Sequence, residues 1–221
     1  MLKPEPFPEE IRALIAENAR RAGAARDCLD CDAGCCATSG FAVLANVALA
    51  YQQYAGGALD FQFEPGLAAQ EFLYRYFDIV QAAPGETPEA PPFLLYFPRS
   101  LVHGASLESL SPVEDRQTGE YRVLTLPQYL DSRKAWIAGS AQYLRTCVFR
   151  HGRLPRGDGS GQAFAGCVLH ADASATHLTG KPIDCVFQAC AAPPELLEPD
   201  PGLAHRWLEA LRRHYGGGQQ P

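Results

Sequence analysis

The chain has 221 residues, 47% of them hydrophobic and 20% charged, enough to bury one core, and a single domain over 1–221 is expected. The net charge is −6, and the 19 Lys and Arg residues are scattered rather than gathered into a stripe, which argues against nucleic acid as a partner. No run reaches the roughly 18 apolar residues of a membrane helix, and the charged N-terminus does not read as a signal peptide, so a soluble, cytoplasmic protein with no membrane partner is expected.

In chain order, a first helix is predicted from residue 8 or 9 to about 22, with Ile11, Leu14 and Ile15 on one face, acids in its first turn and Arg20 and Arg21 in its last. Residues 26–40 are rich in Asp, Gly and Ala, lack apolar periodicity and read as a loop that wraps an ion. A helical spacer is expected over 41–146. Within it, 41–54 is Ala-rich and apolar, and 67–80 carries Phe72, Leu73, Tyr76, Phe77 and Val80 at helical spacing. Residues 82–92 are a turn-rich linker, while 93–97 and 121–126 read as short strands. Pro127 suits the first turn of a helix running to about 145, with Leu130, Ile137 and Leu144 on one side. A second cysteine-bearing half, 147–190, contains the exposed loop 155–161. A last helix over 202–215 stacks Leu203, Trp207, Leu208, Leu211 and Tyr215. The expected class is mainly α with a small β component (α+β): a helical domain whose irregular cysteine-bearing loops enclose a metal site.

The eight cysteines carry the chemistry. In a reducing compartment clustered thiols serve as ligands or catalysts more often than as disulfides, and four of the eight fall in one short run, Cys28, Cys31, Cys35 and Cys36. Cys28 and Cys31 have the C-x-x-C spacing at which a turn lets two thiolates reach one tetrahedral ion at about 2.3 Å. Four thiolates so close repel unless a cation or cluster neutralises them. Cys35 and Cys36 are adjacent, and successive side chains diverge in extended chain, so they serve two metals or divide between ligation and packing. Downstream, Cys147 and Cys190 suit core packing as well as ligation. Cys167, in GlyCysValLeuHis, and Cys185, in LysProIleAspCys, sit beside turn-forming residues and are better read as ligands.

Taken in order, the run Cys28, Cys31, Cys35, Cys36, the GlyCysValLeuHis at 166–170 and the LysProIleAspCys at 181–185 resemble the CxxCxxCC family, described as zinc- or iron-chelating. The resemblance implies Cys28, Cys31, Cys36, Cys167 and Cys185 as the main ligand set, with Cys147 matching a further family cysteine. Its motifs span 28–190 but leave the middle of the chain unaligned. Three residues, Asp32, Ala33 and Gly34, separate Cys31 from Cys35 where the family name implies two. Cys36 keeps the family-like register, and Cys35 is left to a second metal or to packing. The family also resembles the cysteine-rich part of flagellin lysine methylases, which would imply an iron-sulfur-dependent modifying enzyme, although this chain shows no separate catalytic domain.

Thiolates suit zinc and iron-sulfur clusters alike. Eight cysteines exceed one structural zinc, which favours a cluster, 4Fe-4S in type, while two zinc sites would use the same inventory. His170, three residues after Cys167, is read as orienting a ligand or facing solvent rather than ligating, and His103, His151, His177, His205 and His214 are scattered. The GlyAspGlySerGly at 157–161 lacks the Lys-Ser/Thr of a phosphate loop. Three functions fit this inventory: a metal or iron-sulfur protein in electron transfer, metal handling or as an accessory factor; a metal-dependent enzyme acting on a protein or peptide, which would then be its partner; and a structural zinc protein.

Overall fold

The computed structural model describes residues 2–21, 40–59, 63–82, 93–102, 120, 122–139, 145–155, 163–170, 177–187 and 201–216. It is mainly helical, with short strands. Helix α1 is Glu9–Arg21, α2 Leu44–Ala55 and α3 Ala69–Tyr76, after which β1 (Phe77–Gln81), β2 (Leu94–Pro98), β3 (Ser100–Val102) and β4 (Leu124–Thr125) lead into α4 (Leu126–Gly139). Strands β5 (Arg145–Cys147), β6 (Arg150–Pro155) and β7 (Ala163–Cys167) follow, then a 3-10 turn (Val168–His170), α5 (Ile183–Phe187) and α6 (Pro201–Tyr215). Among the described residues, no helix is long and apolar enough to cross a membrane.

The largest sheet has the order β2-β1-β4, with β1 antiparallel to β2 from Phe77↔Pro98 to Gln81↔Leu94 and parallel to β4. Because side chains alternate along a strand, each face builds its own core. Val80, Leu95 and Phe97 join Ile11, Leu14 and Ile15 of α1, Ile183 and Phe187 of α5, and Leu203, Trp207 and Leu211 of α6. The other face sets Phe77, Ile79 and Tyr96 against Tyr54, Phe72, Tyr76 and Phe149. This second core is largely aromatic, with Phe77 and Phe149 centroids 5.3 Å apart.

Three expectations are corrected. The helix predicted over 67–80 stops at Tyr76, and 77–81 is strand. Apolar residues on both faces of a buried strand mimic helical spacing, and pairing with β2 decides between them. The helix predicted from Pro127 to 145 is described only to Gly139, while Arg145 belongs to β5. Its buried side is marked by Tyr129, whereas Leu130, expected in the apolar stripe, is exposed. The helix predicted over 41–54 begins only at Leu44, because residue 42 pairs with β2 instead. The helices expected near 9–22 and over 202–215 form at nearly those bounds. They pack together, and Arg206 and Arg213 of α6 pair with Glu17 and Glu10 of α1. The Arg213 hydrogen bond holds the Glu10 carboxyl below the usual carboxylate range.

A buried ion pair sits on the helix-facing side of the sheet. Asp78 of β1 and Arg99, just after β2, lie 3.1 Å apart (Oδ1 to Nε) with side chains only 2% and 5% exposed. The Tyr129 hydroxyl donates to Asp78 Oδ2 at 3.0 Å. Arg99 also links two segments through its backbone, its N–H donating to the carbonyl of Tyr76 at the end of α3 and its carbonyl accepting from the N–H of Val148, just after β5, at 2.8 Å. Removing one member of such a pair strands a charge in the core. Arg99→Ala is therefore expected to lower the unfolding free energy by about 3–5 kcal/mol, measured by urea denaturation.

Candidate metal centre

The chain leaves the cysteine run in an extended stretch, and residues 40–43 are buried. Ala42 exchanges two backbone hydrogen bonds with Tyr96 of β2, at 2.7 and 2.9 Å. On its other side this stretch meets α5: the Asp184 N–H donates to the Phe41 carbonyl at 3.0 Å. Gly40 packs so closely that a Cβ placed on it would lie 2.8 Å from Cys185 Sγ, 2.9 Å from Asp184 Oδ2 and 2.9 Å from the Cys185 backbone nitrogen. Only glycine fits without displacement, and the cradle it leaves holds a thiol and a carboxylate side by side. Cys185 and Asp184 are 6% and 7% exposed.

Two features place α5. Pro182 stiffens the approach, and its carbonyl accepts from the Val186 N–H at 3.1 Å, closing the first turn. The preceding residues are tied to α2 by Asn46, which is fully buried. Its amide nitrogen donates to the carbonyls of Thr179 and Lys181 at 2.7 and 3.0 Å, while its Oδ1 accepts from the Val43 N–H at 3.0 Å. One side chain thus fastens the exit of the cysteine run to the segment that delivers Cys185. Gly180 lies flat on α2, where a Cβ would stand 3.0 Å from Ala50 Cα.

Cys147 and Cys167 sit by the second core. Cys147 ends β5, opposite Ser100 of β3, and is 4% exposed. Its sulfur accepts from the Phe149 N–H at 3.4 Å. Cys167 ends β7 as the partner of Arg150, and the Val168 N–H donates to the Phe149 carbonyl at 2.8 Å, which ties the two cysteine segments together. Cys167 is half-buried against this core.

The expected irregular loops of the second half are corrected: Cys147 and Cys167 are at strand ends and Cys185 is on a helix. Their flanking turn residues mark where those elements stop, which local composition does not separate from a loop. Cys28, Cys31, Cys35, Cys36 and Cys190 lie outside the described residues, as do His103 and most of the loop expected over 155–161. Among the described residues, no three His, Cys, Asp or Glu side chains gather at metal-holding distance. His170 is in the 3-10 turn after Cys167, His177 forms a backbone bridge to Pro6, and His214 meets Glu10 at 3.0 Å.

Asp184, Asn46 and Gly40 escaped the sequence reading. Asp184 lies inside LysProIleAspCys, where an acid next to a candidate ligand cysteine is a usable signal. Asn46, in an apolar helix, is another, since a buried amide must find partners. Cys185 sulfur and an Asp184 oxygen both pack against Gly40, four residues beyond Cys36. Compared with known family models, curated proteins and solved structures, the chain matches none.

Gly40→Ala forces a methyl group against the Cys185 backbone and sulfur, and is expected to cost about 1–3 kcal/mol of stability by calorimetry or denaturant melts. Asn46→Ala removes one acceptor and the donor to two buried carbonyls. A loss of about 1–3 kcal/mol is expected for it on the same scale.

Proposed function

We propose that this chain is a cysteine-thiolate metal-binding protein of the cytoplasm, holding an iron-sulfur cluster or zinc, and acting in electron transfer, metal handling or as an accessory factor. The observation that carries the reading is the packing of Gly40 on Cys185 Sγ. Gly40 is four residues beyond Cys36, so chain length alone keeps the two within about 14 Å. A ligand expected from the far end of the sequence therefore stands at the exit of the cysteine run. In this reading Cys28 and Cys31 share one coordination sphere with Cys167 and Cys185, because a local pair leaves two positions of a tetrahedral ion to fill. Cys147, with its backbone-to-sulfur contact, is a further ligand candidate, and Cys35 and Cys190 are available to a second metal.

Burial of Cys147 and Cys185 favours a closed site among the possible kinds of metal centre. A closed site contributes to folding directly, as structural zinc does. The same burial also shields a cluster from solvent.

Anaerobic purification followed by a visible spectrum and by iron, sulfide and zinc analysis tests the proposal. Iron with acid-labile sulfide identifies a cluster, zinc in a colourless protein identifies a zinc site, and the absence of both refutes the reading. Metal removal is expected to lower the Tm, because a loop with little apolar content needs its ion to pack. An unchanged melt after verified removal would place the metal outside the fold's stabilising contacts. Cys36→Ser is expected to lose most of the bound metal and Cys35→Ser less, since a serine hydroxyl is a poor ligand where a soft thiolate is required. Equal, near-complete losses would show the two acting together in a multinuclear site.

A further inference from the structure

Arg150 opens β6 directly opposite Cys167 of β7. The Val168 N–H bond to the Phe149 carbonyl makes Arg150 and Cys167 a non-hydrogen-bonded pair of the antiparallel ladder. Facing side chains of such a pair share one face of the sheet, their Cβ atoms about 4.5–5.5 Å apart. A guanidinium on its propyl stem therefore stands within reach of the cysteine sulfur. The Arg150 Nε is buried and has no hydrogen-bond acceptor among the described residues, although a buried donor ordinarily finds one. Cys147 lies close by in the chain, its sulfur taking the N–H of Phe149, the residue before Arg150.

A divalent ion held by four thiolates carries a net charge of about −2, and burying such an anion is costly without compensation. The chain's overall charge of −6 does nothing to offset it. An arginine stays charged at any ordinary pH, and its N–H groups form charge-assisted bonds to anions. We infer that Arg150 is a positioning residue of the metal centre: across the β6–β7 ladder its guanidinium donates to the metal-bound Cys167 thiolate and offsets the charge of the sulfur ligands. The inference rests on the metal-binding reading above and deepens it by naming what sets the affinity of that site.

The test uses the full chain, stripped of metal under reducing, anaerobic conditions and titrated with Co2+. Its thiolate-to-cobalt charge-transfer bands move to higher energy when a donor holds the sulfur lone pair. Wild type, Arg150→Gln, Arg150→Lys, Cys167→Ser and the double variant Arg150→Gln/Cys167→Ser are compared. Arg150→Gln, which loses the charge, should bind about 10–100-fold more weakly, the scale for losing the partner of a metal ligand, with its bands at lower energy. Arg150→Lys, which keeps the charge, should recover most of the affinity. With Cys167 already replaced, Arg150→Gln should have a clearly smaller effect on both readouts, because the two residues are coupled. Should Arg150→Gln fail to fold, Arg150→Leu is read by the same outcomes. Wild-type affinity and band energies in Arg150→Gln would overturn the assignment of Arg150 and leave the cysteine site standing. So would weaker binding with unmoved bands, the mark of a merely structural role, or an equal effect with and without Cys167. Cobalt bound alike by wild type and Cys167→Ser would also overturn it, since Cys167 would then be no ligand. A wild-type chain that holds neither native metal nor cobalt would sink the metal-binding reading itself.

Discussion

The short extended stretch from Gly40 to Val43 is the seam on which the fold and the candidate centre both depend. On one side it pairs with Tyr96 and so extends the sheet; on the other, the Phe41 carbonyl takes the Asp184 N–H. A backbone segment buried on both sides must satisfy its polar groups within the protein, and here the partners are strand β2 and the helix that carries Cys185. The contact between Gly40 and Cys185 follows from that double pairing, because a chain held between two elements leaves no room for a side chain at its closest point. Asn46, in the first turn of the next helix, ties the arrangement together by bonding at once to Val43 of the seam and to Thr179 and Lys181, just ahead of the helix that carries Cys185.

The buried Asp78–Arg99 pair performs a related task further along. The sheet is short, and β2 runs past Arg99 into β3, which pairs with β5, the strand that ends at Cys147. An arginine whose side chain is engaged with β1 and whose carbonyl receives the Val148 N–H fixes where the chain leaves the sheet, and with it the position of Cys147. A charge pair in a core is seldom the most stabilising choice, since desolvation offsets much of its attraction. What it supplies here is register: a shifted strand would leave both charges without partners.

These two polar devices define the geometry of the cysteine segments. Cys185 is delivered from the helical core, through α5, to the exit of the cysteine run. Cys147 and Cys167 are delivered from the aromatic core, at the ends of strands linked by the Phe149 to Val168 hydrogen bond. The sheet lies between the two cores, with the helix that carries Cys185 packed in one and Cys147 and Cys167 in the other. Cysteines on separate elements keep fixed positions only if those elements are themselves stiff, and the aromatic packing around Phe72, Phe77 and Phe149 provides that on one side.

The sequence by itself determined the parts that rest on local periodicity and on residue chemistry. The stripes Ile11, Leu14, Ile15 and Leu203, Trp207, Leu211 identify α1 and α6 because an amphipathic helix writes its buried face into its own spacing. The crowding of four cysteines between residues 28 and 36 is likewise read from the sequence alone, and it raises the expectation of a cation before any fold is known. Tertiary structure decided what depends on partners distant in the chain. Residues 77–81 are strand only because β2 lies beside them; their apolar spacing is equally helical. Asp78 is tolerated in that strand only because Arg99 and Tyr129 reach it. Gly40, an ordinary loop glycine by sequence, becomes indispensable when Asp184 and Cys185 arrive against it. Close approach is a property of two segments, and neither segment alone encodes it.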